Sequence, residues 1–299
     1  MRKYLFTVIL VSVLALGFIS CQPDEEIYNP KCKISKIWYR SEVGDPDEVY
    51  IYDKHNKELQ KIEMENGETI DFTYNKDHSV SKMVHVGTDY TEEIAISSTK
   101  RLVDKITYTI DGAVRLEMTV THDEDTKRIT TIEEVYDRDF YDQYYWKKRE
   151  HPLYDKIIGN YDEVAEIVAK TQSKDLMLYS VKRFTYDPGK HKNYDNISVY
   201  VEEFPISQTV ITHTIQYDPE SYNPFYGLPF AYADFAGYYL NNKVSEHIET
   251  VVAGYLAKTE DIIYSYDGTH YMNKKHYPRQ FITTSSVDKV PVHTYILYK

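Results

Sequence analysis

The feature that most constrains this sequence is a strand–turn–strand unit recurring at a fixed interval. Tyr50-Ile51-Tyr52-Asp53 precedes a polar turn and then Leu59-Gln60-Lys61-Ile62. Phe72-Thr73-Tyr74-Asn75 leads in the same way to Val80-Ser81-Lys82-Met83, and Ile94-Ala95-Ile96-Ser97 to Val103-Asp104-Lys105-Ile106. Positions 52, 74 and 96 are spaced by 22 residues each. Repetition at such a period means one supersecondary unit set beside copies of itself. Val120-Thr121-His122-Asp123, leading to Ile129 through Ile132, is a weaker fourth copy. Phe184 to Asp187, Ile215 to Asp218 and Tyr264 to Asp267 echo the first half of the unit later in the chain.

Within these runs the alternation has a period of two. Ile70, Phe72 and Tyr74 alternate with Thr69, Asp71 and Thr73, and Ile106, Tyr108 and Ile110 with Lys105, Thr107 and Thr109. Ile211, His213, Ile215 and Tyr217 share one face, and Thr212, Thr214 and Gln216 the other. One buried and one wet face is the pattern of antiparallel sheets. Asn66-Gly67, Asp111-Gly112 and Asp267-Gly268 read as two-residue hairpin turns with positive φ at both central positions. An Asp or Asn closing each strand can bond its own backbone and start the turn. Isolated hairpins are marginal in water, so many must line up to bury one face. The expected fold is all-β: an antiparallel meander of sequential hairpins curling into a large soluble barrel or half-barrel. Its repeat-like half spans 34–135, an insertion 136–176, and a second β half 177–299. Val164, Ile167 and Val168 behind Asn160 and Asp162 predict a short capped helix in that insertion, and Phe230 to Leu240 a second.

Tyr-Asp, a turn, Leu-x-Lys-Ile, Gly67 and then Phe-x-Tyr-Asn resemble the YD repeat of Rhs-type proteins, with Asn56 where a glycine is usual. From Val49 onward the chain also resembles uncharacterised Bacteroidota lipoproteins with a porin-like domain of unknown function. That resemblance rests on the Tyr-x-Tyr-Asp hairpins, on Tyr222-Asn223-Pro224-Phe225-Tyr226-Gly227-Leu228 and on Tyr264 to Gly268. It implies a curled antiparallel sheet or barrel and no reaction. A membrane-spanning barrel is not expected. Its strands need an outward apolar band, whereas Lys61-Ile62-Glu63-Met64-Glu65 is charged and the chain ends Tyr298-Lys299 without a terminal aromatic residue.

The first residues carry an address. Arg2 and Lys3 precede an apolar run from Leu5 to Ile19, too short for a spanning helix and laid out as a signal peptide. Gly17-Phe18-Ile19-Ser20-Cys21 resembles the lipobox of bacterial lipoproteins, with Phe18 in place of the usual aliphatic residue. Residues 1–20 are thus read as a lipoprotein signal peptide, Cys21 as the lipidated residue and 21–33 as an acidic tether before one domain over 34–299. Multiple acyl chains hold a protein stably on a bilayer, so the membrane is an expected partner through Cys21. Asp24-Glu25-Glu26 behind it resembles a surface-export signal, giving an expected outer-membrane location facing the exterior.

Loss of residues 1–20 removes Arg2 and Lys3 and no acid, so the formal charge becomes 33 − 47 = −14. Nucleic acid is not expected as a partner, because phosphate binding needs clustered Lys and Arg. With Cys21 lipidated, Cys32 is left alone and no disulfide staples the body. No His-Glu-x-x-His, Cys-x-x-Cys or Gly-x-Ser-x-Gly occurs. The closest late pair of histidines, His270 and His276 near Asp261 and Asp267, reads as turn residues. No metal or cofactor is expected. Glu133-Glu134 and Asp137-Asp139 are candidate carboxylate pairs for acid–base work, with nothing to single one out.

One cluster is a candidate binding site. Tyr136, Phe140, Tyr141, Tyr144, Tyr145 and Trp146 crowd one short stretch before Lys147-Lys148-Arg149. Tyr141, Tyr144, Tyr145 and Trp146 could form an exposed platform for sugar rings or a partner, since aromatics give large contact area with few rotors. Alternatively these rings cap the open end of the sheet. The leading expectation is a non-enzymatic, surface-anchored binding or accessory protein for glycans. The others are a structural protein contacting another envelope protein, and a hydrolase whose carboxylates converge only in the fold.

Overall fold

Alternating strands joined by short turns need a closed arrangement to leave no unpaired edge, and closure is what this chain achieves. The structure is a computed structural model and describes residues 32–40, 44–55, 57–87, 90–110, 112–137, 177–187, 196–228, 240–266, 273 and 276–299. The strands are β1 (Ile34–Tyr39), β2 (Glu48–Tyr52), β3 (Leu59–Met64), β4 (Thr69–Tyr74), β5 (Val80–Val86), β6 (Thr91–Thr99), β7 (Leu102–Ile110) and β8 (Ala113–His122). They continue as β9 (Ile129–Tyr136), β10 (Met177–Tyr186), β11 (Ile197–Phe204), β12 (Thr209–Tyr222), β13 (Asn241–Val252), β14 (Tyr255–Ser265), β15 (Gln280–Ser285) and β16 (Val292–Tyr298). Each pairs antiparallel with its neighbours in sequence, and β1 closes on β16 through Ile37↔Ile296 and Trp38↔Tyr295. The expected barrel is therefore closed, not half-open. Among the described residues there is no helix; the two expected helices fall outside them, except Leu240.

The repeat has a specific mechanical basis. Tyr52, ending β2, donates its hydroxyl to the carbonyl of Ile34, first residue of β1, at 2.8 Å. Tyr74 ends β4 and donates to Leu59, first residue of β3, at 2.6 Å. Tyr217 of β12 does the same to Ile197 of β11 at 2.6 Å, and Tyr298 of β16 to Pro278 just before β15 at 2.5 Å. Each ring fills the interior while its hydroxyl clasps the neighbouring strand's entry, a use suited to an apolar body with a polar tip. After Tyr52 the next residue turns the chain, Asp53 Oδ1 accepting the N–H of Lys57 at 2.5 Å; after Tyr217 the chain stays in β12, where Asp218 Oδ1 accepts the N–H of Glu220 at 2.9 Å.

The turns differ in part from expectation. Gly67 has φ 86°, but Asn66 is not among the positive-φ residues. Gly67 donates its N–H to Met64 at 2.9 Å and Met64 donates to Glu68 at 2.9 Å. This is a type I turn followed by a left-handed glycine, the usual three-residue hairpin loop. Two hairpins that do have both central residues at positive φ are Lys100-Arg101 (53° and 67°) and Ala253-Gly254 (49° and 84°).

All the clasps, with Lys33 and Lys299, lie at one end, called proximal here. The Tyr222–Leu228 segment plugs that end, its Leu228 buried in the core and Phe225 N–H donating to Asn223 Oδ1 at 3.0 Å. Tyr277 packs between Tyr222 and Tyr298, with centroids 5.6 and 6.0 Å away. Beside the plug, Asn241 Nδ2 donates to the Ser221 carbonyl at 2.8 Å and Asn196 Nδ2 to Asn241 Oδ1 at 2.9 Å. Cys32 is a buried free thiol at this end. The apolar interior is continuous from β1 to β9, with Ile34, Ile37, Leu59, Ile62, Val80, Met83, Ile106 and Ile132 buried in one cluster. Charged pairs sit outside it: Lys61 faces Asp71 at 3.4 Å, Lys105 faces Glu117 at 2.6 Å, and His247 faces Asp261 at 2.7 Å. That is the reverse of a membrane barrel, whose apolar band faces outward.

Candidate functional site

The second half of the barrel lines its interior differently. Ile132, Lys182, Glu202, Ile211 and Thr250 form one row across β9 to β13, each paired with the next. Ile132 belongs to the core, so Lys182 and Glu202 enter the same interior. Lys182 Nζ donates to Glu134 at 2.7 Å and lies 3.2 Å from Glu202, while Ser180 Oγ donates to the other oxygen of Glu134 at 2.6 Å. Burial pushes the Glu202 carboxyl above its ordinary range; Lys182 opposes this and Glu134 adds to it.

A second group lies deeper. Glu246 of β13 accepts Nδ1 of His213 at 2.7 Å, Lys243 Nζ at 2.8 Å and the Tyr264 hydroxyl at 3.1 Å. The nitrogen assignment on His213 follows from this partner. Its ring stacks on Tyr200, centroids 3.9 Å apart and planes within 11°. Burial alone would raise the Glu246 carboxyl, but the hydrogen bond from His213 and the charge of Lys243 outweigh it and hold the group at about 2. Burial opposes the charge on Lys243, and Glu246 with Tyr264 reverses that and holds the ammonium above its usual range. Glu246 is thus ionised and saturated with donors, which makes it a clamp and unsuited to taking protons near neutral pH.

The two groups are about equally enclosed: Glu134, Lys182 and Glu202 keep 5%, 12% and 17% of their side-chain surface, and Glu246, His213 and Lys243 6%, 12% and 15%. They differ in depth. Glu202 is two residues from the end of β11, and Glu134 two from the end of β9. Both strands end opposite the proximal plug, at the end called distal here. The polar wall therefore begins at the distal mouth with a Lys–Glu pair that can exchange partners and descends to a fixed His–Glu–Lys–Tyr clamp. Such a wall offers donors and acceptors to a polar ligand without a poised nucleophile.

Sequence reasoning reached this site only partly. Tyr141, Tyr144, Tyr145, Trp146 and the lipidation candidate Cys21 lie outside the described residues, as do His270 and Asp139. Tyr136 is described: it is buried and meets Tyr179 edge-on, with centroids 4.7 Å apart. The candidate pair Glu133 and Glu134 does not converge, because neighbours on a strand face opposite ways; Glu133 is exposed and Glu134 buried. Asp137 pairs with Arg115 at 2.5 Å. His276 is an exposed turn residue with φ 64°. The missed residues are Lys182, Glu202, Lys243 and Glu246. The available signal was His213, a titratable side chain in phase with Ile211 and Ile215. Among the described residues no group of three or more His, Cys, Asp or Glu could hold a metal ion.

No family model matches the chain, and no curated protein matches it. Solved structures with a related shape include a porin-like protein from Bacteroides uniformis, at 10% identity and TM-score 0.47 over 92% of this chain and 100% of that one. A porin-like protein from Bacteroides vulgatus is 9% identical, with TM-score 0.37 over 90% of this chain and 99% of that one. The TcdB2–TccC3 structure is 10% identical, with TM-score 0.32 over 85% of this chain and 15% of that one.

Proposed function

We propose that this chain is a lipoprotein anchored to the outer membrane through Cys21, and that its barrel binds a hydroxyl-rich ligand of the glycan class without chemistry. The observation that carries the binding reading is the polar inner wall of Glu134, Lys182, Glu202, His213 and Glu246, which starts at the end of the barrel remote from Lys33. Buried charges are costly and add little stability over an apolar core, so a group of them gathered on one part of an otherwise apolar interior is best explained by ligand contact. Sugar hydroxyls both donate and accept, and a Lys–Glu–Glu–Ser group at the mouth supplies both. The saturated clamp at Glu246 supports a non-catalytic reading.

The anchor gives this site a direction. The twelve residues from Cys21 to Lys33 reach at most about 40 Å when extended, and they enter the barrel at its proximal end. The distal mouth then faces away from the anchoring bilayer, next to the strand ends from which residues 138–176 depart.

The test is a glycan array probed with the acylated protein in detergent and with Lys182→Met and Glu202→Gln variants. Defined glycans bound by the native chain and lost with Lys182→Met are expected. A blank array, or binding indifferent to both substitutions, would remove the inner-wall reading. Metabolic labelling with a palmitate analogue addresses the anchor separately, and label retained by Cys21→Ala would end that part.

A further inference from the structure

The rim of the distal mouth has a feature that ligand binding inside the barrel does not use. Of the 13 large apolar side chains exposed among the described residues, ten lie at the distal end: Tyr39, Val86, Val114, Leu178 and a run of six from β13 to β16. Those six are Val252, Tyr255, Leu256, Val287, Val290 and Val292. They sit on two adjacent turns, with Tyr255 80%, Val290 68% and Leu256 61% exposed. Apolar residues scattered singly need no explanation, but a contiguous patch marks a contact surface.

The next part of the rim is acidic. Strand β16 neighbours β1, and beyond it the turns after β1, β3 and β5 carry Asp45, Asp47, Glu65 and Glu68, with Glu92 opening β6. Arg40 is the one Lys or Arg described on those turns. His85 stands between Glu68 at 3.0 Å and Glu92 at 3.6 Å and offsets part of their charge, leaving Asp45, Asp47 and Glu65 as the strongest part of the arc. An apolar arc therefore runs directly into an acidic arc.

We propose that this lip docks an envelope protein whose contact surface is apolar and flanked by Lys or Arg. Closure of the barrel leaves no strand edge to extend, so a partner must be held by side chains at an end or on the wall. Among the described residues the wall exposes large apolar side chains only singly, at Ile51, Ile263 and Leu297, and the proximal end is plugged by Tyr222–Leu228. Charge decides among the occupants of the distal lip. An anionic bilayer is repelled by the acidic arc. A second copy related by a twofold axis brings acid to acid, or acid to an apolar arc whose turns carry one cation, Lys289, with Asp288 beside it. A basic and apolar protein surface satisfies both arcs. The anchor at Cys21 enters this argument only in setting which way the lip faces.

The experiment is in-cell photo-cross-linking of the full acylated chain, with p-benzoylphenylalanine placed at Tyr255, Val290 or, as a control at the proximal end, Leu297. One discrete protein adduct from the first two positions and none from the third is expected, and the cross-linked partner peptide should carry Lys or Arg beside apolar residues. Leu256→Ser and Val290→Ser should each weaken capture about ten-fold, the loss of one buried aliphatic contact, and Glu65→Lys should also weaken it, all with unchanged melting temperature. Adducts to lipid, an adduct at twice the chain's own mass, equal labelling from Leu297, capture indifferent to Glu65→Lys, or no adduct would each overturn the proposal. A failed glycan array leaves it standing, and a failed cross-link leaves the inner wall standing.

Discussion

Replacing Glu246 with Gln keeps the shape of the side chain and removes its charge, so it isolates the electrostatic part of the inner clamp. The structure fixes the magnitude. Displacement of the carboxyl from its ordinary 4.5 to about 2, at about 1.4 kcal/mol per tenfold change, amounts to about 3 kcal/mol of folding stability. Breaking a buried ion pair from one side costs about 3–5 kcal/mol by an independent route; the raised Lys243 reports the same contacts and is not added to it. The sign follows from the direction. A carboxyl depressed in the folded state stabilises above its unfolded value and loses that contribution as pH falls from about 4.5 to about 2. Urea unfolding of the native chain and Glu246→Gln should therefore differ by about 3 kcal/mol at pH 7, and the gap should close towards pH 2. Restoring an apolar interior with Glu246→Leu and Lys243→Met together should recover much of the loss. A gap below about 0.5 kcal/mol, typical of a surface change, or one that does not shrink in acid, would refute the clamp.

Three further outcomes follow from local geometry. Tyr74→Phe and Tyr217→Phe each delete one clasp and should each cost about 1 kcal/mol, adding in the double variant because the sites share no partner; unfolding midpoints in urea check this. Lys100→Asn with Arg101→Gly should raise the melting temperature, since a turn with both residues at positive φ prefers Asn-Gly and the native pair pays a steric cost there. The His85 ring is raised above its ordinary 6.5, first by its hydrogen bond to Glu92, with burial opposing and Glu68 assisting. Its stabilising contribution is complete below pH 6.5 and is lost as pH rises through the folded value; proton NMR titration should show that value falling in Glu92→Gln.

What was legible in the sequence is what short-range pattern encodes. Alternation at period two put Ile70, Phe72, Ile106 and Ile215 inward, and all are buried. Tyr52-Asp53 and Tyr74-Asn75 marked strand termini because both residues act within one hairpin, the hydroxyl reaching the neighbouring strand and the next side chain the turn, whereas Tyr217-Asp218 lies inside β12. Closure was not legible, because β1 pairs with β16 across nearly the whole chain and no local signal specifies a partner so distant. Turn type was half legible. Asn66-Gly67 marked a reversal but not its class, and Lys100-Arg101 has no turn signature at all. Register shifts hid more, as between Leu178 and Ser180 and between Gln216 and Tyr217. A shift moves the phase only of the strand that carries the extra residue: β13 skips from Ser245 to Lys243, so Lys243 and Glu246 meet although they stand three positions apart, while Ile215 and Tyr217 of β12 stay in phase.

The ionic wall shows why charge in a strand is ambiguous. Lys61 and Lys182 have similar sequence surroundings, each between residues of mixed polarity on a hairpin strand. Lys61 meets Asp71 at the surface, in a pair of the kind worth about 0–1 kcal/mol. Lys182 meets Glu134 inside, where leaving either partner alone is expensive. Hydropathy treats the two alike, and only the identity of the facing strands separates solvation from a buried site. The division of the barrel follows: most of the apolar core lies on β1 to β9, joined by Ile197, Tyr200 and Ile215 of β11 and β12, and the charges that cost stability gather on the inner face from β9 to β14. A chain whose fold rested on that second face could not tolerate loss of Lys182, whereas this one should. Lys182→Met should leave the barrel folded, losing no more than the about 3–5 kcal/mol of a buried pair broken from one side, since Glu134 keeps its hydrogen bond from the Ser180 hydroxyl. Collapse of the native fold in that variant, seen as loss of the cooperative unfolding transition, would mean that the charged wall is part of the scaffold and not a surface the scaffold presents.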